Sequence, residues 1–434
     1  MQLKALKSDF VKSVLTLMTG TAIAQLITYL IYPILTRIYS TSDIGELGVY
    51  TRLVAFIAAF ATARYELTLP IAKQDHHAFL LYRLSFRISL IVLSSILLLG
   101  FIFYLLKPFD LSNYVFLLIV VVSSYIMVWI NLGTSWSIRK KLFHQVSRQR
   151  VVNSVSVNGL RLFFGLANFG AFGLILGSLL GSFASIFVFI RTFLSDLKIY
   201  RPTKDLKRFR ILAKEYKSFP LINLPHTLLD LGIDLLIAFF IVLFYDKDVF
   251  GSFSHAYMML RLPLLFFGQS IGQVFFNKCS DMINKGQDIY PLVKKTTRTL
   301  FLIAVVPFTV LFFYGVPIFK FIFGDQWEES GRIAEILAPA LVLNFLISPI
   351  STLALILSKQ KAMFGIGIIV AFIHCFCFGV LPLLFSGLMR LRVLSINFHS
   401  FEFILVVNTI LLSIVYVIVL KMYLNFAKNR ITLN

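Results

Sequence analysis

Two aspartates four residues apart, Asp230 and Asp234, stand in TLLDLGIDLLIAFF (Thr227–Phe240), a run otherwise fit for the hydrocarbon core of a membrane. On a helix that spacing stacks both carboxylates on one face, one turn apart. An Asp, Arg or Lys at the centre of a membrane span costs about 2.5–3.5 kcal/mol. Such residues therefore usually face one another or a water-filled cavity, and they mark a function. Arg161 and Arg261 stand at comparable depth, with Arg52 and Lys320 nearer the ends of their spans. Two like charges in low dielectric cannot both ionise without compensation. A bound Na+ held by carboxylate and carbonyl oxygens would supply it, as would a shared proton or pairing with Arg161 and Arg261. The first two make the helix a coupling site; the third makes it a structural lock. The arginines have an alternative of their own. A guanidinium fork suits a phosphate or a sugar carboxylate, so both could line the path of an anionic substrate.

The elements that must position these residues follow from composition. Of 434 residues, 58% are apolar and only 14% charged, against about 25% charged in soluble domains. Hydropathy predicts about twelve spans, each near the 20 helical residues needed to cross a bilayer. They lie near 14–36, 43–63, 84–106, 113–136, 151–169, 172–194, 220–244, 249–277, 299–323, 333–357, 364–386 and 401–424. Strand-type alternation is absent, which leaves helices as the way to satisfy the backbone in lipid. The expected fold is an all-α, polytopic membrane helix bundle. Asp230 and Asp234 then lie about ten and fourteen residues into the seventh span, roughly 15 and 21 Å at 1.5 Å per residue. Pro220 and Pro225 are expected to delay or kink the start of that helix.

The net charge of +21, from 41 Lys and Arg against 20 Asp and Glu, invites a nucleic-acid partner until its distribution is read. The bases gather in alternate loops: Arg64–Arg87, Arg139–Arg150, Arg191–Lys217 and Lys278–Arg298. That is the positive-inside pattern, so orientation accounts for the charge and no nucleic acid is expected. Both termini are expected on the cytoplasmic side, the C-terminal one carrying Lys421, Lys428 and Arg430. Lys4, Lys7 and Lys12 before an apolar run resemble an export signal. The run continues to Thr36, beyond a signal core, and reads as an uncleaved first span.

The predicted outward loops are short, and no catalytic motif appears, so no enzymatic role is expected. Three cysteines and seven histidines lack metal-ligand spacing and read as packing residues. The longest inward loop, Ser195–Phe219, divides the chain into a six-helix lobe over 1–194, a connector over 195–219 and a second six-helix lobe over 220–434. Within the connector, RPTKDLKRFRILAKEYK sets Leu206, Phe209, Leu212, Ala213 and Tyr216 on one face against many bases. It reads either as an interfacial amphipathic helix on the anionic inner leaflet or as a plain connector. Ser42–Phe56 and Asp248–Pro263 align at Gly45 and Gly251, which suggests parallel repeats of six spans.

Several segments resemble, in order, the Wzx-type O-antigen flippases of the MOP (multidrug/oligosaccharidyl-lipid/polysaccharide) exporter superfamily. They are TGTAIAQLITYLIYPILTRIYSTSDIGELGVY (Thr19–Tyr50), ARYELTLP (Ala63–Pro70), GLILGSLLG (Gly173–Gly181) and YKSFPLINLPHTLLD (Tyr216–Asp230), followed by RLPLLFFGQSIGQVFF (Arg261–Phe276) and FGDQWEESGRIAEILAP (Phe323–Pro339). The resemblance implies two six-helix lobes around a central cavity. It also implies a flippase that moves undecaprenyl-diphosphate-linked oligosaccharide to the outer leaflet of the bacterial inner (plasma) membrane by alternating access, driven by a Na+ or H+ gradient. A polysaccharide polymerase and chain-length machinery become expected partners. Arg161, Arg261, Arg52 and Arg64 are then candidates for the anionic substrate. Asp230 and Asp234 are candidates for the coupling cation or proton, with Na+ at Asp230 one form of it, and no other cofactor is expected. Arg64 and Glu66 match the family's Arg-Tyr-Glu and are expected to pair. The competing readings are a multidrug or small-cation antiporter of the same superfamily and a membrane-embedded polysaccharide polymerase or ligase.

Overall fold

The computed structural model describes residues 2–106, 111–200, 206–262, 269–357, 359–384 and 401–428, with side chains described for most of them from Thr16 onward. It is all-α. Among the described residues, ten helices are long and apolar enough to cross a membrane. The two remaining expected spans take other forms. Helix α5 (Phe143–Leu166) has the length but carries polar residues along one side. The expected span 249–277 is represented by α9 (Lys247–Leu260) and α10 (Gln269–Asn284), and residues 263–268 between them lie outside the described residues. The fifteen-residue outward loop expected near Ser386–Ser400 also lies outside them.

By contacts the chain forms two units, Met1–Tyr39 with Glu46–Leu235, and Ser40–Gly45 with Leu236–Asn434. The sequence reading divides the chain at 195–219 instead. The segment leading into α8 (Leu224–Phe244) bonds to the first unit, Arg64 Nε donating to Asn223 Oδ1 at 3.2 Å.

The first unit contains α1 (Gln2–Ile38), α2 (Thr41–Ala61) from Glu46 onward, a 3-10 turn at Tyr65–Ile71, α3 (Asp75–Leu106), α4 (Leu111–Arg139), α5, α6 (Gly170–Ile199) and α7 (Leu206–Glu215). Its main packings are α5 on α6, α1 on α5, and α3 and α6 on α4. A core of Phe79, Tyr82, Trp136, Phe209 and Leu212 joins α3, α4 and α7. Beside it Trp136 Nε1 donates to the buried Asp196 carboxylate at 2.7 Å. Lys140 lies 3.7 Å from Asp196 and 3.9 Å from Asp75, which fastens the ends of α4 and α6.

The second unit contains α9, α10, α11 (Tyr290–Phe323), α12 (Glu328–Ile350), α13 (Thr352–Ile356), α14 (Gln360–Cys375) and α15 (Phe401–Lys428). Helix α12 is its hub, packing on α9, α11 and α15. Helix α11 bends at Tyr314, three residues before Pro317, whose ring cannot extend the helical ladder. The two glycines of the proposed repeat meet here. A Cβ on Gly45 would overlap the Lys247 carbonyl oxygen, and one on Gly251 would overlap the Thr41 carbonyl oxygen. Each glycine thus sits on the carbonyl four residues before the other, a reciprocal contact that fixes the Gly45–Gly251 register. Thr41 Oγ1 donates to Asp248 beside it.

Candidate functional site

Arg161 is placed by a seam of glycines. Gly173, Gly177 and Gly181 recur every fourth residue of α6 and so share one face. A Cβ on Gly177 would stand 2.8 Å from the Arg161 backbone nitrogen, and one on Gly181 2.5 Å from Val157 Cα. Small residues at this spacing let two membrane helices approach to backbone contact. The close approach brings Ser178 within reach, and its hydroxyl accepts from Arg161 Nε at 3.1 Å and from Nη2 at 2.7 Å. That hydroxyl donates in turn to the Leu174 carbonyl at 2.6 Å. Tyr39 Oη donates to the Arg161 carbonyl at 2.6 Å. Tyr32, Tyr39 and Tyr50 are close enough to interact electrostatically with the guanidinium. Among the described residues no acid pairs with Arg161, and its Nη1 has no acceptor. The arrangement fixes a positive charge beside neutral hydroxyls, with N–H donors to spare for an anion.

Arg161 also ends a polar stripe that the hydropathy reading passes over. Arg150, Ser154, Asn158 and Arg161 fall at helical spacing along α5. Arg150 donates to Thr21 Oγ1, Ser154 to the Ala24 carbonyl at 2.6 Å, and Asn158 Nδ2 to Thr28 Oγ1 at 3.1 Å, all on α1. The spacing was readable from the sequence once α5 was taken as amphipathic rather than as a plain span.

Asp230 and Asp234 sit on α8, which follows a π-helical turn at Phe219–Asn223 around Pro220. The delayed helix start expected from Pro220 and Pro225 takes this form. Gly232, between the acids in sequence, is turned toward Phe56 of α2, where a Cβ would be 3.7 Å from the ring. At 100° per residue the two aspartates therefore face away from α2. Asp230 Oδ2 lies 3.3 Å from His226 Nδ1, one turn earlier, and both side chains are more than half exposed. Reading every histidine as packing is thus corrected at His226, whose i,i+4 spacing to Asp230 was present in the sequence. The lock through Arg161 is not formed among the described residues, since Arg161 is held by Ser178.

The remaining candidates are dispersed. Arg52 Nη1 donates to the Gly48 carbonyl of its own helix at 3.0 Å. Arg64 adopts the left-handed conformation (φ 60°), as does Ala63 (φ 48°), a strained backbone for residues with a Cβ. Its Nη1 lies 3.2 Å from Glu66 Oε1, so the motif pair exists as a local bridge. The Glu66 side chain is 3% exposed, and its Oε2 has no partner among the described residues. Burial pushes the Glu66 carboxyl above the ordinary glutamate range, while Thr62 and Arg64 pull it partly back. Arg261 was expected within a continuous span. It instead caps the end of α9, its guanidinium 4.8 Å from the Tyr257 ring centroid. Lys320 bridges Glu328 at 3.0 Å and Asp325 at 3.7 Å. Among the described residues no group of three His, Cys, Asp or Glu side chains could hold a metal ion.

The fold and sequence find relatives. An inward-facing multidrug resistance MATE family transporter of the MOP superfamily matches with a TM-score of 0.60 and 12% identity, covering 95% of this chain and 99% of the transporter. A MOP superfamily transporter from Pyrococcus furiosus matches at 0.59 and 14%, covering 96% of each chain. The lipid II flippase MurJ, in an inward closed conformation, matches at 0.59 and 14%, covering 95% of this chain and 99% of MurJ. No curated protein matches the sequence. At these identities the likeness shows the fold, and it extends over both units. The family described as "Polysaccharide biosynthesis protein" matches residues 34–332, a stretch that holds Arg52, Arg64, Glu66, Arg161, Asp230, Asp234 and Arg261. The chain is a multi-pass membrane protein with the fold seen in these MATE and MurJ structures, and it belongs to the polysaccharide biosynthesis protein family.

Proposed function

We propose that this protein is a flippase that carries undecaprenyl-diphosphate-linked oligosaccharide from the cytoplasmic to the periplasmic leaflet of the bacterial inner membrane, both its termini cytoplasmic. The observation that carries the reading is Arg161: a membrane-depth guanidinium held by a serine, without an acid, in a member of a polysaccharide biosynthesis family. A cation left uncompensated at that depth is costly unless an anion completes it. The diphosphate, or an acidic sugar beside it, is that anion. Arg52, Arg64 and Arg261 are further substrate contacts along the path. The MATE likeness supports the antiporter alternative, but a fixed arginine repels the cationic drugs such a transporter would bind.

The driving ion acts at α8. His226 Nδ1 and Asp230 Oδ2 stand 3.3 Å apart, an imidazole nitrogen facing a carboxylate oxygen at a distance one proton can bridge. Hard cations such as Na+ prefer several oxygen ligands, and Asp234 one turn away offers only one more carboxylate. We therefore assign H+ as the coupling ion, with Na+ at Asp230 as the competing assignment. Deleting the gene should abolish surface polysaccharide and leave lipid-linked repeat units accessible only from the inner leaflet. Restoring wild-type protein should reverse both. Surface polymer persisting in a deletion strain without a second flippase would overturn the reading.

A further inference from the structure

Helix α7 does not spend its apolar face on lipid. Phe209 and Leu212 are each 5% exposed and pack into the core formed with α3 and α4. Ala213 and Tyr216 pack against the same core, and Tyr65 Oη donates to the Ala213 carbonyl at 3.0 Å. The amphipathic reading is thus corrected in one respect: the apolar side is covered by protein, and the helix turns its other side outward. That side carries Arg208, Arg210 and Lys214, all exposed, around Ile211, which is 64% exposed.

Packing also fixes the height of α7 along α3. The Phe209 ring lies under two arginines of α3, with Arg83 Cζ 5.9 Å and Arg87 Cζ 4.8 Å from its centroid. Immediately after Arg87, α3 turns apolar from Ile88 to Leu106. Arg83 and Arg87 therefore stand where hydrocarbon gives way to headgroups, and Phe209 holds α7 at that level. Two bases one turn apart against one ring repel each other. Among the described residues, no acid pairs with Arg83, Arg87, Arg210 or Lys214. The one acid on the α7 surface, Glu215, lies 3.8 Å from Lys73.

We infer that Arg83 and Arg87 of α3, with the outward face of α7, form a binding surface for anionic phospholipid headgroups. The occupant follows from the charge and the level. Arg83, Arg87, Arg210 and Lys214, with no acid paired to them among the described residues, meet phosphate in every lipid and net negative charge only in the anionic ones. Tyr65 belongs to the 3-10 turn whose neighbour Arg64 reaches Asn223 at the start of α8. A headgroup holding α7 thereby steadies the turn that contacts the helix of Asp230.

The test uses the full-length protein in a neutral detergent, mixed with equal amounts of phosphatidylglycerol and phosphatidylcholine, with retained lipid read by native mass spectrometry. Wild type should retain phosphatidylglycerol preferentially. Retention should fall about fivefold for each base removed in Arg83→Gln/Arg87→Gln and in Arg210→Gln/Lys214→Gln. The second pair lies on the exposed side of α7 and does not stack on the Phe209 ring, so it decides the matter if the first fails to fold. No preference in wild type, or unchanged preference in the Arg210→Gln/Lys214→Gln protein, would overturn the inference. So would displacement of the lipid by an equal concentration of inorganic phosphate, which would indicate a free-anion site.

Discussion

Arg161 and Asp230 are both charges at membrane depth in the first unit, yet the protein treats them in opposite ways. Arg161 is clamped: the α6 glycines press Gly177 against its backbone, Ser178 takes two of its donors, and Tyr39 bonds its carbonyl. Asp230 is left in the open on α8, with one imidazole one turn away. A fixed charge can recognise an anion because its position costs nothing further at the moment of binding. An exposed carboxylate beside a histidine can gain and lose a proton without disturbing the packing around it. Under the proposed function, the difference would divide binding and coupling between separate helices, α5 and α8.

The largest expected effect comes from breaking the clamp. Gly181→Leu drives a side chain into the Val157 backbone, and overpacking of this kind costs about 1–3 kcal/mol or more. Membrane-inserted protein should fall several-fold, measured by quantitative immunoblotting. Removing the clamped charge while sparing the clamp should instead leave abundance intact. Hydrogen bonds to charged groups contribute about 1.5–3 kcal/mol, so Arg161→Gln should lower polysaccharide export about tenfold to a hundredfold. Ser178→Ala frees the guanidinium without deleting it and should cost less.

On the exposed side, Asp230→Asn should flatten the dependence of transport on a pH gradient in proteoliposomes at unchanged abundance. His226→Gln should shift that dependence rather than abolish it. If Na+ rather than H+ restores gradient dependence, the coupling ion is reassigned and the site stands. The smallest effect is expected at Glu66, outside the spans. Its folded-state pKa is raised by burial, so its stabilising contribution is present at low pH and is lost as pH rises through that raised value. Glu66→Gln should remove this loss, and thermal unfolding of the variant should vary less with pH than that of wild type over the mildly acidic range.

The contrast between the helices was only half legible in the sequence. Hydropathy and the positive-inside pattern yield the all-α membrane fold, because burial in lipid leaves helices as the available solution. The aspartates stood out since each is costly there, and their shared face follows from their spacing alone. Gly45 and Gly251 pack closely in the structure, a contact that aligning their segments as repeats does not predict. What charge and hydropathy could not reveal was which groups the arginines meet. Arg161 lies against Ser178 because α6 folds back onto α5, a pairing decided by the glycine stripe and not by either charge. Arg261 falls at a helix end because α9 stops at Leu260, although the apolar run continues past it. His226 and the α5 stripe were readable from spacing, but an overall count of apolar residues hides both.

The most direct test of the central claim compares the binding of undecaprenyl diphosphate with that of uncharged undecaprenol, for wild-type protein and Arg161→Gln, each in nanodiscs of neutral lipid. A clamped arginine that recognises the diphosphate predicts at least tenfold weaker binding of the diphosphate to Arg161→Gln and equal binding of undecaprenol to both proteins. Equal diphosphate affinity for the two proteins would contradict the account.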